Sequence, residues 1–169
     1  RIQRRYYERM VEELSRARRV YFVACGTSYH ACLAGSYIFT KLAGLHPQPV
    51  IASEFIEFCG NAVGEGDVVL AVSQSGETAD TLTAVRYAKR RGARILGVTN
   101  VMGSSLTRVA DVYIGQNSGP EIGVAATKTF TAQVAVLAKL AIIYARERGA
   151  EDPSYLDELE SKLHELPSV

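Results

Sequence analysis

Short apolar runs alternate with longer segments of helical periodicity along most of this chain. The runs are rich in β-branched and aromatic residues and predict five β-strands, at residues 20–24, 50–52, 68–72, 94–98 and 112–114. The segments around them predict helices at residues 2–16, 29–43, 55–58, 79–91, 105–110 and 129–148, and from Pro153 onward. Strands that alternate with helices in this way pair in parallel. We therefore predict an α/β fold, a three-layer α/β/α sandwich with a five-stranded parallel sheet.

Local signals mark the ends of several of these helices. Ser53 is a suitable N-cap for the short helix at 55–58. Gly44 and Gly92 directly follow two of the longer helices, in the position where glycine commonly ends a helix.

Two turns of small and polar residues follow the first and third predicted strands. They are CGTS at residues 25–28 and SQSGET at residues 73–78. In a doubly wound sheet of flavodoxin-like order 2-1-3-4-5, the first and third strands flank the point where the strand order reverses. Ligands bind there, beyond the carboxyl ends of the strands. The pattern therefore predicts one site to which both turns contribute.

The turn at 73–78 carries the groups that a bound anion needs. N–H groups in the first turn of a helix have no intrahelical partner, and the helix dipole favours negative charge there. Ser73, Ser75 and Thr78 add three hydroxyl donors, which suit the three terminal oxygens of a phosphate better than a carboxylate. Alternatively, Ser73 or Ser75 merely caps the helix. The turn alone leaves both interpretations open, and the similar turn at 25–28 favours the ligand site.

Composition and charge exclude several classes of function. The chain has 169 residues, with 19 basic and 18 acidic side chains and a net charge of +1, so its bulk electrostatics imply neither a nucleic-acid nor a membrane partner. Its three cysteines are an odd set without metal-ligand spacing. They favour a reducing, cytoplasmic setting, and we expect neither a metal nor a cofactor. At this length we expect one domain, residues 1–169. Because the chain begins at Arg1 without a methionine, we expect this domain to be taken from a longer protein.

The segment at 130–144 is the most apolar of the predicted helices. It contains Gln133 and Lys139, which favours a helix in the core or at an interface over a membrane span. It offers more apolar surface than one side of a sheet covers, so we expect the chain to form a homodimer.

Three segments together resemble one known family. They are ACGTSY at 24–29, SQSGETADTL at 73–82 and GPEIGVAATKTFT at 119–131. These segments are similar to the isomerase half of the glucosamine-6-phosphate synthases, also called glutamine–fructose-6-phosphate aminotransferases (isomerising). The serine motif alone indicates only the wider SIS (sugar isomerase) family, whereas the stretch at 121–131 is much more specific. The resemblance covers residues 2–166.

The resemblance implies a parent enzyme with a glutaminase domain and two tandem SIS domains, of which this chain corresponds to the first SIS domain. In that family, ammonia from glutamine condenses with the ketone of fructose 6-phosphate, and proton transfer then gives glucosamine 6-phosphate. Either sugar phosphate is therefore an expected ligand of this chain.

The same resemblance assigns residues to the two ends of the ligand. Residues of the second turn are expected to hold the phosphate: Ser73, Gln74, Ser75 and Thr78. Residues of the first turn and of a third loop are expected to contact the sugar: Cys25, Gly26, Thr27, Ser28, Val124 and Ala126.

Two features depart from the family pattern. Ala126 stands where many members carry serine, so one hydroxyl contact is absent. The resemblance assigns the family's base glutamate, its lysine partners and its ring-opening histidine to the second SIS domain or the neighbouring subunit, and their motifs do not occur here. We therefore assign no catalytic residue, and we expect the chain to bind its substrate without converting it.

Several other side chains allow two interpretations. Cys25 lies at a helix N-terminus but has no local base to make it a nucleophile, and His30 is more simply a structural histidine. A carboxylate repels phosphate, so we expect Glu77 to point away from the ligand. Glu121 and Lys128 either serve the site or pair with each other or with a partner chain.

Two alternative functions stay open. One is a stand-alone sugar-phosphate isomerase or deaminase-like SIS enzyme, which the missing catalytic motifs disfavour. The other is a phosphosugar-sensing SIS domain of a transcriptional regulator, which the stretch at 121–131 disfavours.

Overall fold

The computed structural model describes residues 2–119 and 126–165. Its elements follow the predicted order: α1 (Ile2–Arg16), β1 (Arg19–Ala24), α2 (Gly26–Ala43), β2 (Gln48–Ile51), a 3-10 turn (Ala52–Glu54), α3 (Phe55–Cys59), β3 (Asp67–Ser73), α4 (Ala79–Arg90), β4 (Arg94–Thr99), α5 (Ser105–Val109), β5 (Val112–Gly115), α6 (Lys128–Arg148) and α7 (Pro153–Glu165). Of the residues discussed above, Glu121 and Val124 lie outside the described part of the chain.

The five strands form one parallel sheet in the order β2-β1-β3-β4-β5. The predicted fold class and strand order are confirmed. Val23 of β1 is in register with Ala71 of β3, and Ser73 of β3 is in register with Thr99 of β4. The carboxyl ends of β1, β3 and β4 therefore lie side by side, which places the turns that follow them at one edge of the sheet.

Alternate residues of the central strands enter two different cores, because successive side chains of a strand point to opposite faces. Phe22 and Leu70 face a core completed by α1, α2 and α6. Tyr21 and Val69 face a second core, completed by α3, α4 and α5. These two helix layers and the sheet between them make the three layers of the sandwich.

Helix α6 lies in the first of these helix layers, next to α1 and α2. Within residues 2–119 and 126–165 it is the one helix whose length and composition would allow it to cross a membrane, yet half of its apolar window is buried inside this fold. Helix α7 packs on its outer side, where Leu156 contacts the buried side chains of Ile142 and Ala145. The expectation of a core helix therefore agrees with its packing.

Two local predictions were wrong. Ser53 is not an N-cap: it lies inside the 3-10 turn, and its hydroxyl donates to Glu54 Oε1 at 3.3 Å. Helix α2 begins at Gly26 rather than Tyr29, so most of the first polar turn belongs to the helix itself. Gly26 allows this early start because its φ of +56° is unfavourable for other residues.

Candidate functional site

The turn at 73–78 is held by hydrogen bonds between its own residues. Ser73 ends β3 and is buried, and its hydroxyl oxygen accepts a hydrogen bond from the Gly76 N–H at 3.1 Å. The same oxygen lies 3.1 Å from the hydroxyl oxygen of Thr78, the residue before α4. Two of the three hydroxyls that the sequence assigned to a phosphate are therefore adjacent and already ordered by the turn.

Gly76 permits the sharp bend of this turn. Its φ is +66°, and a Cβ added to it would lie 2.1 Å from Ser104 Oγ and 2.9 Å from Thr99 Oγ1. Both the conformation and the space therefore require glycine at this position.

The turn is also tied to the segments that follow β4. The Gln74 carbonyl accepts hydrogen bonds from the Asn100 N–H at 3.0 Å and from the Thr99 hydroxyl at 3.3 Å. The Gly76 carbonyl accepts from the Leu106 N–H, at the start of α5, at 3.0 Å. These contacts from β4 and α5 fix the backbone of the turn from the side opposite β1.

The amino end of α4 is not capped by the serines of the turn. The Ser75 hydroxyl accepts from the Glu77 N–H at 3.1 Å, and Ser73 accepts from Gly76, so both bonds lie before the helix begins at Ala79. Thr78 makes no side-chain capping bond either. The capping interpretation is therefore wrong: among the described residues, no hydroxyl of the turn caps α4, whose first N–H groups are of the kind that binds an anion.

Glu77 is engaged away from the amino end of α4. Its carboxylate accepts a hydrogen bond from the Ser105 N–H, at the start of α5, at 2.7 Å. This bond, with a second from the Ser105 hydroxyl, lowers the pKa of Glu77 below its ordinary value. The bond to α5 engages this carboxylate, and its lowered pKa makes it a weaker base towards a ligand at α4.

The residues at 25–28 form the junction of β1 and α2. Cys25 is the residue before α2, in extended conformation and without a side-chain capping bond, and Gly26 and Thr27 are exposed. The Thr81 hydroxyl of α4 donates to Cys25 Sγ at 3.8 Å, a contact that joins this junction to the helix after the second turn. Ser28 is buried, and its hydroxyl oxygen accepts from Gln133 Nε2 of α6 at 3.0 Å.

Of the two residues expected to contact the sugar from the third loop, the structure describes one. Ala126 is half-buried and lies two residues before α6, whereas Val124 is outside the described residues. The beginning of the loop is anchored by Asn100. Its Oδ1 accepts from the N–H and the hydroxyl of Ser118 at 3.0 and 3.1 Å, and its Nδ2 donates to the Gly119 carbonyl at 2.6 Å.

Two residues of this region were missed as contributors by the sequence reasoning, Asn100 and Gln133. Asn100 follows β4 at the carboxyl edge of the sheet, and that position was the available signal. Gln133 carried a stronger signal, because it is an amide within the most apolar helix.

The remaining candidates lie apart from these contacts. His30 is exposed, with its ring centroid 5.9 Å from that of Tyr29, and Lys128 is exposed at the first position of α6. Nowhere in the two described stretches do three or more His, Cys, Asp or Glu side chains group in a way that could hold a metal ion.

The chemistry available at this edge is therefore that of neutral donors. Hydroxyls and helix N–H groups converge there, and they can bind an anion and orient a polyol, but they are poor bases near neutral pH. Within the described residues of these turns the one carboxylate, Glu77, is bound to α5. The arrangement favours binding over proton transfer.

The family of the chain follows from a match to the model of the SIS domain, which covers residues 13–143. That stretch is more than half of the chain, so the chain belongs to the SIS domain family, as its motifs predicted.

Two curated relatives carry the same enzyme name. The glutamine–fructose-6-phosphate aminotransferase (isomerizing) of Thermococcus kodakarensis is 46% identical over 160 residues, which are 95% of this chain and 27% of that protein. The enzyme of the same name from Aeropyrum pernix is 51% identical over 153 residues, 90% of this chain and 25% of that protein. The chain thus spans about a quarter of the length of these curated relatives.

A solved structure gives the same result for the fold. The C-terminal domain of the glucosamine-fructose-6-phosphate aminotransferase from Francisella tularensis matches with a TM-score of 0.86 and 33% identity, over 95% of this chain and 46% of that one. The resemblance stated from the motifs is confirmed by these comparisons.

Proposed function

We propose that this chain is the first SIS domain of a glutamine–fructose-6-phosphate aminotransferase and that it binds the sugar phosphate of that reaction, fructose 6-phosphate or glucosamine 6-phosphate. The observation that carries the proposal is the turn at 73–78, where two adjacent hydroxyls precede a helix whose first N–H groups have no side-chain cap. The names of the relatives supply the identity of the ligand.

In this proposal the phosphate and the sugar occupy neighbouring parts of the sheet edge. The phosphate accepts hydrogen bonds from the second turn and from the start of α4: Ser73, Gln74, Ser75 and Thr78. The sugar extends towards the start of α2 and the third loop, where the contact residues are Cys25, Gly26, Thr27, Ser28, Val124 and Ala126. The register of β1 with β3 supports this arrangement, because it brings the ends of the two strands together.

The chain binds without catalysing in this account. Abstraction of a proton needs a base within about 2.6–3.2 Å, directly or through one water, and the described turns supply hydroxyls and amides instead. Incubation of the chain with fructose 6-phosphate and ammonia is expected to give no glucosamine 6-phosphate above background. Product formation that Glu77→Gln abolishes would show that the catalytic group lies in this chain.

We further propose a homodimer in a cytoplasmic setting. Cys25, Cys32 and Cys59 are all free thiols, which agrees with a reducing compartment. An apolar groove of about 350 Å³ lies between α2, α6 and α7, and Tyr37 beside it is 70% exposed. An exposed apolar surface of this kind supports association. Sedimentation at high concentration is expected to show dimers, and a strict monomer would contradict this part of the proposal.

Chemical-shift mapping by NMR tests the location of the site. Titration of the isotope-labelled chain with glucosamine 6-phosphate is expected to shift the backbone amides of residues 25–28 and 73–81 first, and fructose 6-phosphate is expected to compete. Shifts confined to the groove between α2, α6 and α7 would overturn the proposed location of the site.

A further inference from the structure

Gln133 is a polar residue enclosed by an apolar helix layer. It is 1% exposed, on a helix whose neighbouring buried side chains include Val136 and Leu137. Burial of an amide is costly unless it forms hydrogen bonds. Its Nε2 donates to Ser28 Oγ of α2 at 3.0 Å, whereas its Oε1 is buried with no hydrogen-bond partner among the described residues. Burial of this amide is therefore unfavourable on one side, and the hydrogen bond of its Nε2 reaches a residue of the proposed sugar site.

The two helices that carry this pair are packed closely enough to fix its geometry. A Cβ at Gly35 of α2 would lie 2.7 Å from Leu137 Cδ1 of α6, so the glycine allows the two helices to approach. Leu137 is four residues after Gln133, and Gly35 is seven residues after Ser28, so each pair lies on one face of its helix. The close approach one or two turns away thus sets the distance between the Gln133 amide and the Ser28 hydroxyl.

The direction of the bond determines what the hydroxyl can do next. An amide N–H only donates, so Ser28 Oγ is the acceptor in this pair. A serine hydroxyl carries one hydrogen and can accept and donate at the same time. With its acceptor function satisfied from inside the protein, the Ser28 hydroxyl keeps its hydrogen for a group outside.

We infer that Gln133 is a positioning residue for sugar recognition: it holds Ser28 so that the serine hydroxyl donates to an oxygen of the bound sugar. The inference rests on the proposed function and deepens it, since it assigns a buried residue of α6 to the affinity for the sugar part of the ligand. Because α6 begins directly after Ala126 and Thr127, the same helix holds the end of the third loop and the partner of Ser28. Binding of the sugar therefore depends on α6 as well as on the turns.

The experiment compares two ligands and a set of substitutions. Gln133→Met keeps the volume of the side chain and removes the donor, and Val136→Ala is a matched change in the buried face of the same helix. Gln133→Met is expected to lower the affinity for fructose 6-phosphate about five- to tenfold, which is the effect of one hydrogen bond. Its affinity for inorganic phosphate is expected to stay unchanged. In a Ser28→Ala background, the same substitution is expected to have no further effect on either ligand.

Several results would overturn the inference. They are unchanged affinity for fructose 6-phosphate in Gln133→Met, an equal loss for both ligands, the same loss in Val136→Ala, or a further loss in the Ser28→Ala background. If Gln133→Met does not fold, Gln133→Leu replaces it, because it also removes the amide donor without placing a charge in the apolar layer, and the same results are expected. Failure of the unsubstituted chain to bind fructose 6-phosphate would overturn the proposed function together with this inference. Normal binding by the unsubstituted chain with no effect of Gln133 substitution overturns the inference alone.

Discussion

The hydroxyl oxygens of Ser73 and Thr78 lie 3.1 Å apart, and this contact joins the end of β3 to the residue before α4. The Gly76 N–H donates to the same Ser73 oxygen and closes the turn between them. The hydroxyls are therefore held in place before a ligand arrives, and the entropy of ordering them is lost on folding rather than on binding.

Removal of the Ser73 hydroxyl is expected to affect both stability and binding. Ser73→Ala leaves the buried Gly76 N–H without its acceptor, which costs about 1–2 kcal/mol in the free energy of unfolding. It also lowers the affinity for fructose 6-phosphate by about tenfold or more, because a hydrogen bond to a charged phosphate is lost. Denaturant unfolding and calorimetry measure the two effects. The control is Thr83→Ala, which removes an exposed hydroxyl of α4. It is expected to leave the affinity unchanged and not to lower the stability, because alanine favours a helix more than threonine does.

Gly76→Ala is expected to disrupt the turn itself. The new Cβ would meet the Ser104 side chain at 2.1 Å and would hold alanine at a φ of +66°, so we expect a loss of about 1–3 kcal/mol in stability and of measurable phosphate affinity. Addition of Ser104→Gly removes the contacts with the Ser104 side chain, but neither the 2.9 Å approach to Thr99 Oγ1 nor the backbone strain. The double variant should therefore recover part of the stability, and a single variant with wild-type affinity would contradict the described geometry of the turn.

Glu77→Gln tests whether this carboxylate touches the ligand. Its observed partner is the Ser105 N–H, so its neutralisation removes a negative charge from the vicinity of the phosphate without removing a ligand contact. Affinity for fructose 6-phosphate is expected to stay equal or to rise slightly in calorimetry. A loss of tenfold or more would mean that Glu77 binds the sugar.

Asp67 makes stability depend on pH at the opposite end of the sheet. Its side chain is fully buried and accepts hydrogen bonds from Arg18, Arg19 and the Gly64 N–H. Burial raises the pKa of this carboxyl, but the hydrogen bonds outweigh burial, so the pKa lies below its ordinary value. A group with a lowered folded-state pKa stabilises the protein above its unfolded-state pKa of about 3.9, and this contribution is lost as the pH falls through the folded-state value.

Asp67→Asn is therefore expected to lower the free energy of unfolding at pH 7 by about 2–3 kcal/mol, less than for a fully enclosed ion pair because both arginines are partly exposed. The difference from the unsubstituted chain should shrink as the pH is lowered from 5 to 2. Glu65→Gln, an exposed neighbour, serves as the control. A difference that is constant over this range of pH would show that the Asp67 carboxylate is not the cause.

The sequence predicted the fold well because its strongest signals are local. The central strands β1, β3 and β4 are apolar runs buried along almost their whole length. The helices between the strands show clear periodicity, so the order of the elements and the order of the strands could be predicted. The role of Ser53 could not be predicted, because residues that cap helices also occur inside 3-10 turns. Which of the two positions Ser53 takes depends on how Phe55 packs into the second core. Gly26 was interpreted as part of a turn because it stands in a run of small and polar residues after a strand, and its positive φ at the start of a helix is not visible in the sequence.

The meeting of the two polar turns could be predicted from the sequence, whereas the hydrogen bonds around them could not. Polar turns after the first and third strands indicate an edge of the sheet, and the structure brings them together there. The partners of those turns come from residues far away in the chain, such as Asn100 for Gln74 and Gln133 for Ser28. Contacts of this kind depend on helix and strand packing, which hydrophobic periodicity does not specify.

Calorimetry with fructose 6-phosphate and with fructose tests the central claim most directly. Each hydrogen bond to the charged phosphate is worth about 1.5–3 kcal/mol, so we expect fructose 6-phosphate to bind, inorganic phosphate to bind more weakly, and fructose to give no measurable heat of binding. Equal affinity for fructose and fructose 6-phosphate would show that the turn at 73–78 is not a phosphate site and would contradict the account.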